Sequence, residues 1–555
     1  MRPISALRFP PAADWRCGVP PVALRRTIRA SWPYYKVIEL EQIYSRWFNF
    51  ETMAFLVIDC GTSACKVAVV SGNGGILAWS RRPVRVQQPG PLRAEVDPDA
   101  LWAAMLAAAR TALRQVPAGR RHIEAVGVSA LLGYVFLGRF NRPLGPAIIW
   151  MDNRAGAEAD EIRRRIPEKT VYRQTGRRVS PELLAPKLMW LAREQPGMYR
   201  RLRAVIGLKD EMVRRLTGAV GTDRSHLDYS LLFDIRKGKI DADIAAALGI
   251  DPGVFPEPQR ATQVAGRLAP EAARRIGLPV GLPVIRGSSD GTTAMYGGGV
   301  LTEGTGVLVT GTTDVLMTAC SGWTKDRSCT LTVNSGMVPG IYLAGGAMGL
   351  SGGAVQHLER LMRVRMRPLA EKIKRLPPGA DGLLMLPGLT GERSPYWMAY
   401  ATGAMAGLTL RHGHEHLFRA AMEGAALRTA CLLNRMQACR IAPTRLHVVG
   451  GWADNDAWNR IRTDAAGLEV LRPKETEATA LGTAMFCRAA IDPGTLLVDI
   501  SRQWLRFDRR YRPDPACTEA YRALADLFDD YLHSTTDVFK RLQQMKRQPA
   551  MEEAT

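Results

Sequence analysis

The feature that most constrains this chain is a pattern that occurs twice: an apolar strand, a Gly-Thr turn, and a second apolar strand. It first runs through Phe55-Leu56-Val57-Ile58, then Asp59-Cys60-Gly61-Thr62-Ser63, then Lys66-Val67-Ala68-Val69-Val70. Far downstream it returns as Gly306-Val307-Leu308-Val309, Thr310-Gly311-Thr312-Thr313 and Asp314-Val315-Leu316. Each copy opens a half of the same kind. In the first, a Gly-rich turn at 71–75 leads to Ile76-Leu77-Ala78-Trp79. Asp97 and Pro98 then supply the N-cap and first position of an Ala/Leu-rich helix reaching Val116. In the second, Gly352-Gly353-Ala354-Val355 leads into a helix carrying Leu358, Leu361 and Met362. Further strand signals at 125–129 and 147–150 complete the expectation of a duplicated, mixed α/β protein.

Turns of this composition suit phosphate. Glycine lets the backbone approach, successive N–H groups face anionic oxygens, and Thr or Ser hydroxyls add donors. Candidate phosphate contacts are therefore Gly61, Thr62, Ser63, Gly311, Thr312 and Thr313, with Lys66 as a point charge and Gly353 at the second helix start. Asp59, at the mouth of the first hairpin, is a candidate Mg2+ ligand acting through water. Between the two hairpins lies Val284-Ile285-Arg286-Gly287-Ser288-Ser289-Asp290-Gly291-Thr292-Thr293, a short strand that places one carboxylate where it hands over to a loop. No Gly-x-x-x-x-Gly-Lys-[Ser/Thr] occurs, so a Walker-type NTPase is not supported.

Composition narrows the class. With 555 residues, 46% of them hydrophobic, the chain can bury more than one sizeable core. The nine cysteines are odd in number and form no Cys-x-x-Cys pair, which suits a reducing compartment better than a disulfide framework or a zinc site. The longest apolar run, Ala125 to Gly138, is too short for a membrane span and holds three glycines. A cytoplasmic protein is expected. The net charge of +22 is spread along an Arg-rich chain without an aromatic-interleaved stripe, so nucleic acid is not an expected partner. Residues 1–52 carry eight basic and four acidic side chains and no apolar signal core, and Met53 stands directly before the first convincing strand. They are expected to be a disordered or mis-called extension.

Read in order, the motifs resemble the FGGY family of carbohydrate kinases across residues 53 to about 535. Asp59-Cys60-Gly61-Thr62-Ser63 through Lys66 is similar to the family's first phosphate motif, and Thr310-Gly311-Thr312-Thr313 to its second. Trp150-Met151-Asp152-Asn153-Arg154 resembles its sugar-side segment, and Ala185-Pro186-Lys187-Leu188-Met189-Trp190 its first signature. Gly403 to Leu408 followed by His416 to Glu423 resembles the second signature, and Val449-Gly450-Gly451 the adenosine motif. The resemblance implies two duplicated actin-like (ribonuclease H-like) ATPase domains around a central cleft: residues 53–300 on the sugar side, 301–535 on the nucleotide side, and a polar tail at 536–555. It implies ATP and Mg2+, with Asp290 as the catalytic base and substrate contact, Trp150 and Asp152 at the sugar, and Gly450 and Gly451 against the nucleotide. Homodimerisation is left open.

Three departures bear on the substrate. Where the family often carries Gly-Gln-Met-His-Gly, this chain has Ala130-Leu131-Leu132-Gly133-Tyr134; Trp452 replaces a third glycine; and Ser288-Ser289-Asp290-Gly291 looks gluconate kinase-like. The expected acceptor is a ketopentose such as xylulose, with gluconate or another aldonic acid or polyol as one alternative and a non-catalytic sugar sensor as the other. His412-Gly413-His414-Glu415-His416 is read as helix-start capping rather than a metal site. Glu392-Arg393 is read as an adjacent surface pair in a loop near the cleft. A packing helix is expected between Tyr511 and Leu532, with Tyr521, Leu524, Leu527 and Tyr531 on one face, and disorder after Lys546.

Overall fold

The structure, a computed structural model, describes residues 53–117, 122–322 and 326–547; the expectations for residues 1–52 and 548–555 lie outside them. The first half is built on β1 (Met53–Cys60), β2 (Ala64–Ser71), β3 (Ile76–Pro83), α1 (Pro98–Gln115) and β4 (His122–Ala130). β1 is apolar almost throughout because it is central, antiparallel to β2 on one side and parallel to β4 on the other. β3 alternates buried Ala78 and Ser80 with exposed Trp79 and Arg81, as an edge strand with one covered face requires. Asp97 caps α1 as expected, accepting the Asp99 N–H at 2.8 Å.

A smaller antiparallel sheet follows, made of β5 (Gly133–Leu137), β6 (Ala147–Ile149), β7 (Ala204–Gly207) and the short strand Glu95–Val96. α2 (Leu184–Glu194) packs Leu184, Leu188 and Leu191 into the core on that side. The chain then returns to the first sheet through β8 (Val264–Arg267), β9 (Pro283–Ile285) and β10 (Ser288–Ser289), and enters α3 (Asp290–Gly297). The strand order is β8-β9-β4-β1-β2-β3, with β10 also paired to β4.

The second half repeats this plan with β11 (Thr305–Thr310), β12 (Thr313–Ser321), β13 (Thr332–Ser335), β14 (Ile341–Leu350), α4 (Gly352–Met362), α5 (His414–Ala438), β15 (Arg445–Val449) and β16 (Glu469–Pro473). α6 (Ala478–Ile491), β17 (Phe507–Tyr511) and α7 (Pro515–Ser534) complete it. Its order is β13-β14-β12-β11-β15-β16-β17. β11 is antiparallel to β12 and parallel to β15, as β1 is to β2 and β4. The duplication read from two short hairpins therefore extends through both sheets.

α6 belongs in sequence to the second half yet packs against α3 of the first. A Cβ on Gly297 would lie 1.9 Å from the Ala478 carbonyl oxygen, and one on Gly482 2.1 Å from that of Thr293, so these helices touch backbone to backbone. Phe55, Ile285, Met295, Val307, Leu481 and Phe486 share one apolar cluster across the junction.

α4 buries Val355 and Leu358 while Leu361 is 69% exposed. The face of the C-terminal packing helix differs from expectation. α7 turns Tyr521, Ala525, Phe528 and Leu532 inward while Leu527 faces water, because the neighbouring helices meet it along that i, i+4, i+7 line. Thr536–Arg547, read as polar tail, is a helix with Phe539 buried. Among the described residues no helix is long and apolar enough to cross a membrane.

Candidate active site

Strand register assembles the first part of the site. Asp59 lies opposite Lys66 on the β1–β2 ladder and beside Ser129 on the β1–β4 ladder. β10 in turn pairs Ser288 with Ser129 and Ser289 with Ala130. Asp290 follows at once, so it emerges at the carboxyl ends of the parallel strands, where open α/β sheets leave room for ligands. It opens a helix rather than the expected loop, and its carboxylate accepts the Gly291 N–H at 2.7 Å. The strand behind it is anchored by a buried polar layer: Ser288 Oγ lies 2.5 Å from Ser225 Oγ, and Lys209 pairs with Asp223 at 2.9 Å.

The electrostatics follow from burial. Burial first, and then the neighbouring Asp290 carboxylate, push the Asp59 carboxyl up to about 7 against the opposing pull of Lys66. Asp59 Oδ1 is buried without a hydrogen-bond partner. Burial also raises Asp290, with the Gly291 N–H acting in the other direction. Lys66 reaches across the junction to Glu477, Nζ to Oε2 at 2.8 Å. Glu477 carries no signal in the sequence: a glutamate just before a helix is ordinary, and only the fold sets it against β2.

The second hairpin is held by its helix. The Ser351 and Gly353 amides each donate to the Thr312 carbonyl at 3.0 Å, and Gly352 donates to Gly311 at 3.2 Å. Gly450, at φ +94°, lies so close that a Cβ would sit 2.5 Å from the Thr310 carbonyl oxygen. Gly451 beside it is exposed and open. Trp452 occupies the space over Gly352, where a Cβ would come within 1.9 Å of Nε1, and meets Trp458 edge to face at 5.3 Å. Gly311, Thr312, Thr313, Gly353, Gly450 and Gly451 are thus brought together. The Gly450 N–H also donates to the Thr476 carbonyl at 3.2 Å, next to Glu477, which ties this group to the Lys66 end of the first hairpin, where Gly61 and Thr62 are half-buried and Ser63 is exposed.

The Trp150 side is organised by charge. Asp152 is fully buried; its oxygens accept from the Arg154 guanidinium at 2.7 to 2.9 Å and from the Ala94 N–H at 2.7 Å. Arg154 also pairs with Glu95 at 2.5 Å. Lys187 donates to the Asp152 and Pro181 carbonyls at 2.8 Å each, and burial lowers its ammonium to about 8. Asp152 therefore braces the segment that carries Trp150. Leu131 and Leu132 are core residues.

Glu392 and Arg393 do not pair with each other. Glu392 is buried against Arg428 at 2.9 Å, while Arg393 crosses to Glu182 at 2.7 Å and stands 6.0 Å from the Trp150 ring centre. Side chains of neighbouring residues point apart here, which sequence adjacency concealed. His416 accepts the Gly413 N–H at 3.0 Å, capping the start of α5, while His412 accepts the Thr409 N–H at 2.9 Å in the turn before it.

Fold and site together define a two-lobed α/β protein with a carboxylate pair and two Gly-Thr hairpins at the junction. The N-terminal domain of the FGGY family of carbohydrate kinases matches residues 54–297, and the C-terminal domain of that family matches 306–491. The chain is 30% identical to a glycerol kinase of Aromatoleum aromaticum over 483 residues, 82% of this chain and 94% of the relative. It is 26% identical to a gluconokinase of Bacillus licheniformis over 497 residues, 86% and 95% of the two chains. The crystal structure of xylulose kinase from Rhodospirillum rubrum superposes with a TM-score of 0.80 at 26% identity, covering 88% of this chain and all of that one. The protein belongs to the FGGY family of carbohydrate kinases. It is a sugar or polyol kinase with the actin-like ATPase fold.

Proposed function

We propose that the protein transfers the γ-phosphoryl group of ATP to a terminal hydroxyl of a small open-chain sugar, with a ketopentose such as xylulose as first choice. The observation that carries this reading is the Asp290 carboxylate beside Asp59 and Lys66, at the junction of the two halves. Asp290 would orient the hydroxyl and take its proton late, since a primary alcohol is too weak an acid to ionise first. Its raised affinity for protons suits that task. Lys66 and the amides and hydroxyls of Gly61, Thr62, Ser63, Gly311, Thr312 and Thr313 would hold the phosphates, with Gly353, Gly450 and Gly451 leaving room for the nucleotide.

The unpartnered Oδ1 of Asp59, next to a second carboxylate, fits a hard divalent cation, and Asp59 would hold Mg2+ through water. Bound there, Mg2+ would neutralise charge on the phosphates. Trp150 would offer its face to the carbon chain, with Asp152 fixing the segment through Arg154. Lobe closure would keep water from competing as acceptor.

A second reading has its own support. The Arg393 guanidinium, paired with Glu182 at 2.7 Å and 6.0 Å from the Trp150 ring centre, is a cation that a substrate carboxylate would share, which favours an aldonic acid such as gluconate. An ADP-release screen over ketoses, polyols and aldonic acids with Mg2+ separates the two. Fastest turnover of a ketopentose supports the first, preference for an aldonate that disappears in Arg393→Met supports the second, and no turnover with any acceptor overturns both. A reducing, cytoplasmic setting is part of the proposal and accords with the free thiols of the described cysteines.

A further inference from the structure

Lys66 and Glu477 are 411 positions apart in sequence, yet their charged ends meet at 2.8 Å across the junction of the halves. The side chains are 42% and 53% exposed, so water screens the pair and it contributes little to holding the fold together. Its location is more telling than its strength. Lys66 faces Asp59 on the β1–β2 ladder, and the charges of Asp290 and Glu477 both act on Asp59. The ammonium is thus paired with one carboxylate, Glu477, and faces a second, Asp59, in the place proposed for a nucleotide's phosphates.

Glu477 is also connected to the rest of the site. It directly precedes α6, which packs on α3, the helix opened by Asp290. Its neighbour Thr476 accepts the Gly450 N–H at 3.2 Å. A polyphosphate entering here would meet an ammonium already neutralised and a carboxylate that repels it. A chain carrying several negative charges outcompetes a single screened carboxylate for that ammonium.

We propose that Glu477 is a placeholder for phosphate: it pairs with the Lys66 ammonium, surrenders it to an incoming nucleotide, and so sets nucleotide affinity below what the site could otherwise reach. This inference rests on the reading of Lys66 as a phosphate contact. Glu477 is a positioning residue for Lys66, and its loss has a sign that structural damage would not produce.

The test is calorimetric titration with ADP at fixed ionic strength, using the full chain as wild type, Glu477→Gln, Lys66→Met and the double variant. Glu477→Gln is expected to bind ADP about 3- to 10-fold more tightly than wild type, and Lys66→Met more weakly. In the Lys66→Met background the gain from Glu477→Gln should shrink to less than half. Unchanged or weaker ADP binding in Glu477→Gln overturns the placeholder, as does an equal gain in both backgrounds, which would make Glu477 a repelling charge only. Unchanged binding in Lys66→Met overturns the phosphate reading of Lys66 itself, a separate failure. Glu477→Ala, which removes the same charge without an amide to re-engage Lys66, must show the same direction as Glu477→Gln.

Discussion

On the second rung from its tip, the first hairpin pairs Asp59 with Lys66, while the second pairs Val309 with Val315. The backbone plan is shared and the charge is not. In the first hairpin a carboxylate and an ammonium face the junction, one with an unpartnered oxygen and the other bridged to the opposite half. In the second, the nearest charge, Asp314, is turned inward and buried 3.6 Å from Arg462, which lies over the Trp458 ring at 4.3 Å. Burial raises the Asp314 carboxyl, and Arg462 opposes that shift. Two hairpins can thus offer similar backbone donors while one turns its charges to the junction and the other uses its charge to fix its own position.

The largest effect is expected at Asp290, the carboxylate next to Asp59. Asp290→Asn should reduce kcat by about 10²- to 10⁴-fold while nucleotide binding is retained, in steady-state assays with any accepted sugar. Undiminished turnover would remove Asp290 from the base role.

The inward charge of the second hairpin should behave differently. Asp314→Asn leaves Arg462 buried and uncompensated, with an expected loss of about 3 kcal/mol measured by denaturant unfolding. A loss of activity with unchanged stability would show that this charge also serves the chemistry.

Gly450→Ala tests the grip itself. A Cβ 2.5 Å from the Thr310 carbonyl, at a φ of +94°, must push the loop off the second hairpin. KM for ATP should rise about 10-fold, with KM for sugar nearly unchanged, and equal changes in both would mean general unfolding.

The smallest effect expected is a pH slope. Asp59 is pushed from the ordinary carboxylate value of 3.8 up to about 7, so between those values the folded protein keeps a proton that the unfolded chain has released. Stability of the ligand-free protein therefore falls as pH rises from about 4 to about 7. Burial pushes Asp228 the same way, also up to about 7, so Asp59→Asn should reduce this slope without abolishing it. Thermal midpoints at pH 5 and 7.5 provide the measurement; an identical slope in the variant would mean that Asp59 is not perturbed.

Much of this architecture was legible because its signals are local. The run from Phe55 to Ile58 is continuous and apolar since β1 is covered on both faces, and Asp97-Pro98 marks the start of α1 through chemistry confined to one turn. Facing is less legible than element type. Leu527 sits at helical spacing from Leu524 and Tyr531 but turns to water, because which stripe of an amphipathic helix is buried depends on where its neighbours lie. Asp152 looked available from its motif, yet Arg154 two residues on and the Ala94 amide take its oxygens. Glu392 and Arg393 looked like partners and each found another, Arg428 and Glu182.

The duplicated hairpin plan, the family, and the candidate charges Asp59, Lys66 and Asp290 are legible in the chain alone, because each is written in a short stretch whose backbone chemistry is local. That Asp290 begins a helix at Asp59's side, that Glu477 faces Lys66, and that Arg393 stands by Trp150 emerges only from the folded arrangement. Those contacts join residues hundreds of positions apart, and their distances are set by how two sheets and the α3–α6 contact fit together. Spacing along the chain carries no record of that fit.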